Sequence, residues 1–166
     1  AAAIADPNPV IICEHALLYA TEGDCAETAD GFDAWRPLVR VQGDALTIVT
    51  SSGSLPKVVA ATDQLTRDGI RPELIDLRCL RPLVLEPVVA SVQRTGRLLV
   101  VDEGWQTCGL AAEVAASVTE QAFAALAKPV ARVCTAEVPI PYAAQLEQAA
   151  LPSVEGIVAA ARELVA

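Results

Sequence analysis

Four short stretches of the chain place reactive side chains close enough to do chemistry. The first is the pair Asp102-Glu103, which ends an apolar run and is followed by Gly104-Trp105. Adjacent carboxylates there suggest general acid/base work or a divalent cation. Neighbours on a strand point to opposite faces, so the two cannot face one substrate without a bend in the backbone. A hard cation would need further oxygen ligands, and the neighbouring loops offer no DxD-type cluster. The residues favour a fastening: one carboxylate capping amides of the following turn, with Trp105 packed into an interface.

The other three are weaker. His15 is the only histidine, and with Cys13 it makes CEH, an incomplete metal set better read as a core or interface histidine. Arg78 and Arg81 bracket Cys79 and could grip a carboxylate or phosphate in bidentate fashion, unless Asp76, Glu86 or a helix end neutralises them. The stretch SSGS, residues 51–54, lacks the glycine pattern of a dinucleotide fold and the lysine of a phosphate loop. A backbone-amide anion site at the next helix start competes there with an ordinary cap and turn. Residue chemistry alone therefore gives no complete active site.

These stretches sit at the ends of regularly spaced elements. From Ala45 onward, ALTIVTSS, PELIDLRCL, RLLVVDEG and VARVCTAEV read as strands. Helices alternate with them: SLPKVVAATDQLTRDG, with Ser54 as N-cap, Pro56 in the first turn and Gly69 at the end, then EPVVASVQRTG, then CGLAAEVAASVTEQAFAALA. The tail adds two more helices, the last opened by Pro152 and Ser153. Strands alternating with helices predict a three-layer α/β domain, a mostly parallel sheet of about five strands with helices on both faces. Ligands of such sheets sit at the carboxyl ends of the strands, so the loops after Ser52, Leu80, Gly104 and Val138 are the places to look. Pro9 to Tyr19, PVIICEHALLY, reads as one further buried strand, and Thr21 to Asp44 as a surface linker.

Composition excludes several classes. A chain of 166 residues with 53% hydrophobic side chains can bury one sizeable core. A formal net charge of -9 with no basic block argues against nucleic acid and suits a basic protein partner. No apolar run approaches the roughly 20 residues of a membrane span, and the first residues do not read as a signal peptide. Five cysteines at wide spacing fit reduced thiols, mostly small core residues, in a reducing compartment. With no methionine anywhere, the chain reads as a piece of something longer.

Taken in order, PNPVIICEHALLY, LTIVTSS, IDLRCLRPL, RTGRLLVVDEGW, AAEVAA and EVPIPYAAQLEQAALPSVEGIV form a recognisable set. They resemble the second half of the β subunit of thiamine-diphosphate-dependent 2-oxoacid dehydrogenases, the E1 component of pyruvate and branched-chain complexes, and of acetoin dehydrogenase. The resemblance implies a transketolase C-terminal-domain-like fold over residues 45–166, a linker at 21–44, and the last strand of a truncated pyrimidine-binding domain at 1–20. It implies a parent enzyme that oxidatively decarboxylates a 2-oxoacid and passes the acyl group to lipoyl-E2, in a bacterial cytoplasm or an organelle matrix. In that family the activating glutamate and the pocket histidine lie in the pyrimidine domain, and the α subunit holds thiamine diphosphate and magnesium. No position here matches those groups, so no catalytic, cofactor-binding or metal residue is assigned, and the chain alone is expected to be inactive.

The resemblance leaves this domain the work of assembly. It pairs the chain with the E1 α subunit and a second β subunit, and docks the basic peripheral-subunit-binding domain of E2. Asp102, Glu103, Trp105, Pro141 and Tyr142 are the expected subunit-interface residues, and the carboxylate of Ala166 the expected E2 contact. Two departures stand out. Relatives often read Leu-Asp-Ala-Pro where this chain has Leu126-Ala127-Lys128-Pro129, and TYSRM where it has TSSGS, Thr50 to Ser54. Two other readings compete: a stand-alone, non-catalytic module that binds E1 or E2 partners, and the terminal domain of another thiamine-diphosphate enzyme such as a transketolase.

Overall fold

The computed structural model of the chain describes residues 2–22 and 33–166. Five strands form one sheet: β1 (Leu38–Val41), β2 (Leu46–Thr50), β3 (Pro72–Asp76), β4 (Leu98–Trp105) and β5 (Ala131–Thr135), in the order β1-β3-β2-β4-β5. Strands β2 to β5 run parallel, and β1 closes one edge antiparallel to β3. Helices α2 (Leu55–Arg67) and α6 (Val154–Val165) cover one face, α3 (Glu86–Thr95) and α4 (Leu110–Ala122) the other. A short α1 (Ala2–Ala5) lies at the start, and α5 (Ala144–Ala150) precedes α6.

The period-2 alternation of the strands divides the core between the two faces. Leu46, Ile48, Leu74, Leu99 and Val101 pack with Val58, Leu65, Ile157 and Leu164 of the first helix pair. Val49, Ile75, Leu98 and Val100 pack with Val88, Val92, Val114 and Val118 of the second. All five residues of β2 and all five of β3 are buried, as expected for central strands covered on both faces. The one polar side chain turned inward from the middle of β2, Thr47, is answered across the layer by Ser91 and Thr95 of α3, whose hydroxyls lie 2.7 and 2.8 Å away.

The helix ends follow their punctuation. After α2 the chain turns at Gly69 with φ +85°, and the Ile70 and Gly69 amides return to the carbonyls of Leu65 and Thr66, the paired bonds of a Schellman turn. Gly96, with φ +69°, ends α3 in the same left-handed region. Ser153 opens α6 by accepting from the Gly156 amide at 3.1 Å.

Four expectations need correction. Pro9 to Tyr19 is not a buried strand: it is mostly exposed, and its one regular feature is a 3₁₀ turn at Ala16–Leu18. A strand needs a partner for its amides, and the described residues supply none. The stretch expected as linker contains β1, whose Leu38 and Val39 pair with Asp76 and Ile75, so the sheet begins before Ala45. Ser54 precedes α2, but its side chain caps nothing, because a 3₁₀ turn at Ser52–Ser54 runs straight into the helix. Nor are the cysteines core residues: Cys13 and Cys108 are exposed, Cys79 and Cys134 half-buried, and all four are free thiols at strand ends or in loops. Cys25 and Phe32 lie outside the described residues.

Candidate functional site at the carboxyl ends of the strands

Strand β2 leads outward to β3 on one side, and β3 then crosses back to β4 on the other, so the order reverses between β2 and β4. Open parallel sheets bind their ligands outside the carboxyl ends at such a reversal. The loop after β2 brings Gly53 there, and β4 brings Glu103. The Glu103 carboxylate receives His15 Nε2 at 3.2 Å on one oxygen and lies 3.7 Å from Lys57 Nζ on the other. Lys57 comes from the first turn of α2, His15 from the segment far upstream. Gly53 makes the approach possible: a Cβ there would stand 2.4 Å from Glu103 Oε2 and 2.6 Å from His15 Nε2.

The two adjacent carboxylates of the sequence thus part company. Asp102 turns beside Cys134, its register partner on β5, and the Cys134 thiol is pushed above its ordinary value by burial first and by the Asp102 charge second. A bulge between Asp102 and Trp105 separates the pair, and the Thr135 hydroxyl holds it by donating to the Glu103 carbonyl at 2.7 Å. Gly104 fits beneath Asp102, whose Oδ2 would lie 2.8 Å from an added Cβ. Facing acid/base geometry is absent, and among the described residues no three His, Cys, Asp or Glu side chains gather as metal ligands.

The arginines of the second loop divide as well. Arg78, with φ +56°, donates its guanidinium to the carbonyls of Asp33 and Arg36, and its amide to Asp76. It ties the stretch before β1 to the end of β3, a use of backbone carbonyls that no charge pattern in the sequence announced. Arg81 is exposed. Burial pushes the Asp76 carboxyl above its ordinary range, opposed by the Arg78 amide and by the charges of Arg40 and Arg78.

Of the remaining predicted residues, Trp105, Pro141 and Tyr142 lie past the carboxyl ends of β4 and β5, and Ala166 lies at the opposite rim. Trp105 is 49% exposed and Tyr142 fully so, while Pro141 is half-buried. The two loops are stitched together: Glu137 accepts the Thr107 amide at 2.9 Å, its carboxyl is held below the ordinary range by the Thr107 side chain first and that amide second, and Arg132 donates to the Gln106 carbonyl at 2.7 Å. Val138, Ile140 and Leu146 add exposed apolar surface to the same rim. Ala166 ends α6, whose last carbonyls are held by cations: Arg97 donates to Leu164 at 2.8 Å and Lys128 to Glu163 at 2.7 Å. Lys128 thereby brings the turn carrying Ala127 beside the end of α6.

The fold is a three-layer α/β module with a mostly parallel sheet, and comparison with known proteins specifies which. Residues 37–157 match the family model "Transketolase, C-terminal domain", and the chain belongs to that family. It is 40% identical over 162 residues to the pyruvate dehydrogenase E1 component subunit beta of Rickettsia bellii, covering 98% of this chain and 50% of that protein. It is 41% identical to the mitochondrial subunit beta-1 of Arabidopsis thaliana, over 97% of this chain and 46% of that protein. To the acetoin:2,6-dichlorophenolindophenol oxidoreductase subunit beta of Cupriavidus necator it is 39% identical, over 97% and 48%. The chain thus spans about half the length of these relatives. Among solved structures it resembles a split-gene transketolase described as an inactive beta4 tetramer, with TM-score 0.68 and 25% identity, over 81% of this chain and 42% of that one.

Proposed function

We propose that the chain is the assembly-forming part of an E1 β-type subunit. Its parent carries out thiamine-diphosphate-dependent oxidative decarboxylation of a 2-oxoacid, pyruvate or branched-chain, with acyl transfer to lipoyl-E2. The observation that carries this reading is the exposed apolar side chains past the carboxyl ends of β4 and β5: Trp105, Val138, Ile140 and Tyr142, with Leu146 on α5, are all open, and exposed apolar surface of this kind marks an interaction site. Asp102, Glu103, Trp105, Pro141 and Tyr142 serve the contact with the E1 α subunit and a second β subunit. The end of α6 at Ala166, with the neighbouring turn at Ala127, serves a basic E2 domain, in keeping with the net charge of -9.

Thiamine diphosphate and magnesium belong to the rest of the assembly in this reading. The described residues offer the cofactor neither a metal-ligand cluster nor a glycine-rich phosphate loop. Compartment follows the parent, a bacterial cytoplasm or an organelle matrix. Calorimetric titration of the 166-residue chain with thiamine diphosphate and magnesium tests the division of labour. No heat beyond dilution is expected. A micromolar isotherm would return cofactor binding to this chain and overturn the reading.

A further inference from the structure

At the reversal between β2 and β4, the place where open parallel sheets receive a ligand, this chain puts its own upstream segment. We propose that the crevice is a docking site for the residues preceding the domain, with His15 as the inserted group, Glu103 and Lys57 as its floor, and Gly53 as the position that makes room for it. The segment is shaped for the role. The His15 carbonyl accepts the Leu18 amide at 2.9 Å, and the Tyr19 hydroxyl donates to Glu14 at 2.8 Å, so the turn is closed on the solvent side while His15 points to the sheet. The Nδ1 atom of His15 is buried, and its ring is 30% exposed although most of its neighbours in the segment lie open.

Gly53 separates docking from mere proximity. The three atoms nearest an added methyl are at the tips of Glu103 and His15, both able to swing away. An alanine there displaces the docked group without distorting the loop. The consequence is a crevice filled from within, which orients what precedes the domain and leaves no open seat for a small molecule. The inference goes beyond the assembly reading: docking is internal to the chain and occupies the Glu103 carboxylate, which leaves Asp102, Trp105, Pro141 and Tyr142 for partner contact.

The single imidazole makes the test unambiguous. In the intact 166-residue chain, nuclear Overhauser contacts are expected between the His15 ring and the Gly53 α-protons. Gly53→Ala and Glu103→Lys should each remove the ring's contacts to the loop. Both should also speed exchange of the Leu18 and Tyr19 amides by about fivefold, the scale of one partly exposed ion pair. Amides of Ile48 and Val100 should keep their protection, which shows that the sheet is intact. A wild-type ring without contact to Gly53 would overturn the proposal, as would Leu18 and Tyr19 exchange unchanged in Glu103→Lys.

Discussion

The two rims of the sheet handle charge and glycine in opposite ways. At the amino rim, Glu73 of β3 is buried and takes Arg94 of α3 at 2.6 Å. Arg71 pairs with Asp44 close by, and Arg97 donates to carbonyls of Ala45, Thr95 and Leu164. Each of these bonds joins strands, helices or the short turns between them. At the carboxyl rim, Glu103 is 24% exposed and takes its partner from a segment outside the sheet, and the apolar side chains beyond it face outward. The glycines repeat the contrast. A Cβ on Gly43 would lie 2.3 Å from the backbone of Pro72, whereas the three atoms nearest one on Gly53 are at side-chain tips. The charges of the amino rim are answered from within the domain, those of the carboxyl rim in part by a segment from outside the sheet.

Substitutions that break the amino rim should therefore cost the most stability. Gly43→Ala forces two backbone segments apart and should lower unfolding free energy by about 3 kcal/mol, read from urea midpoints. Arg94→Ala leaves the buried Glu73 carboxylate without its cation and should cost about 2 kcal/mol, below the usual loss for a buried pair because Arg94 itself is half-exposed. Gly96→Ala strains a left-handed helix end and should cost about 1 kcal/mol by the same measurement.

The carboxyl rim should respond differently. Asp76 has a raised folded pKa, so between its unfolded value, about 3.9, and that raised value the native state binds more protons than the unfolded one. Stability therefore falls as pH rises through this window, and the loss persists above it. Asp76→Asn should be more stable than the parent chain at pH 7 and lose that advantage near pH 3, checked by urea midpoints at both values. Glu103→Gln should change global stability by only about 0.5 kcal/mol, since a partly exposed ion pair contributes little. A loss comparable to that of Arg94→Ala would erase the contrast between the rims.

How far the sequence reveals this depends on the range of the interaction. The alternation from β2 to α6 was legible because hydrophobic period, Gly69, Gly96 and Ser153 act within a few residues. Strand β1 was not: LVRV is four residues long, lies beside a Gly- and Asp-rich stretch, and pairs with residues more than thirty positions away. The reverse error at Pro9 to Tyr19 has the same origin, since an apolar β-branched run becomes a strand only where a partner strand exists. Strand alternation allowed Asp102 and Glu103 to be set on opposite faces, but the expected cap on the following turn is not theirs: the Thr107 amide goes to Glu137 from the next loop. That Glu103 meets His15 could not be read at all, because the chain between them folds through three strands first. The rim of Trp105 and Tyr142 came from the family resemblance and from the exposure of aromatic groups, not from any motif with chemistry of its own.

Whether that rim joins subunits is the question on which the account rests. Sedimentation velocity of the chain mixed with the E1 α-type subunit from the same source answers it, comparing the parent sequence with Trp105→Ala and Tyr142→Ala. Co-sedimentation of the parent chain, weakened at least tenfold in Kd by either substitution at unchanged urea midpoint, is the predicted result; the tenfold corresponds to about 1.4 kcal/mol for an aromatic anchor at an interface. Association that both variants retain in full, or a parent chain that never co-sediments, would contradict it.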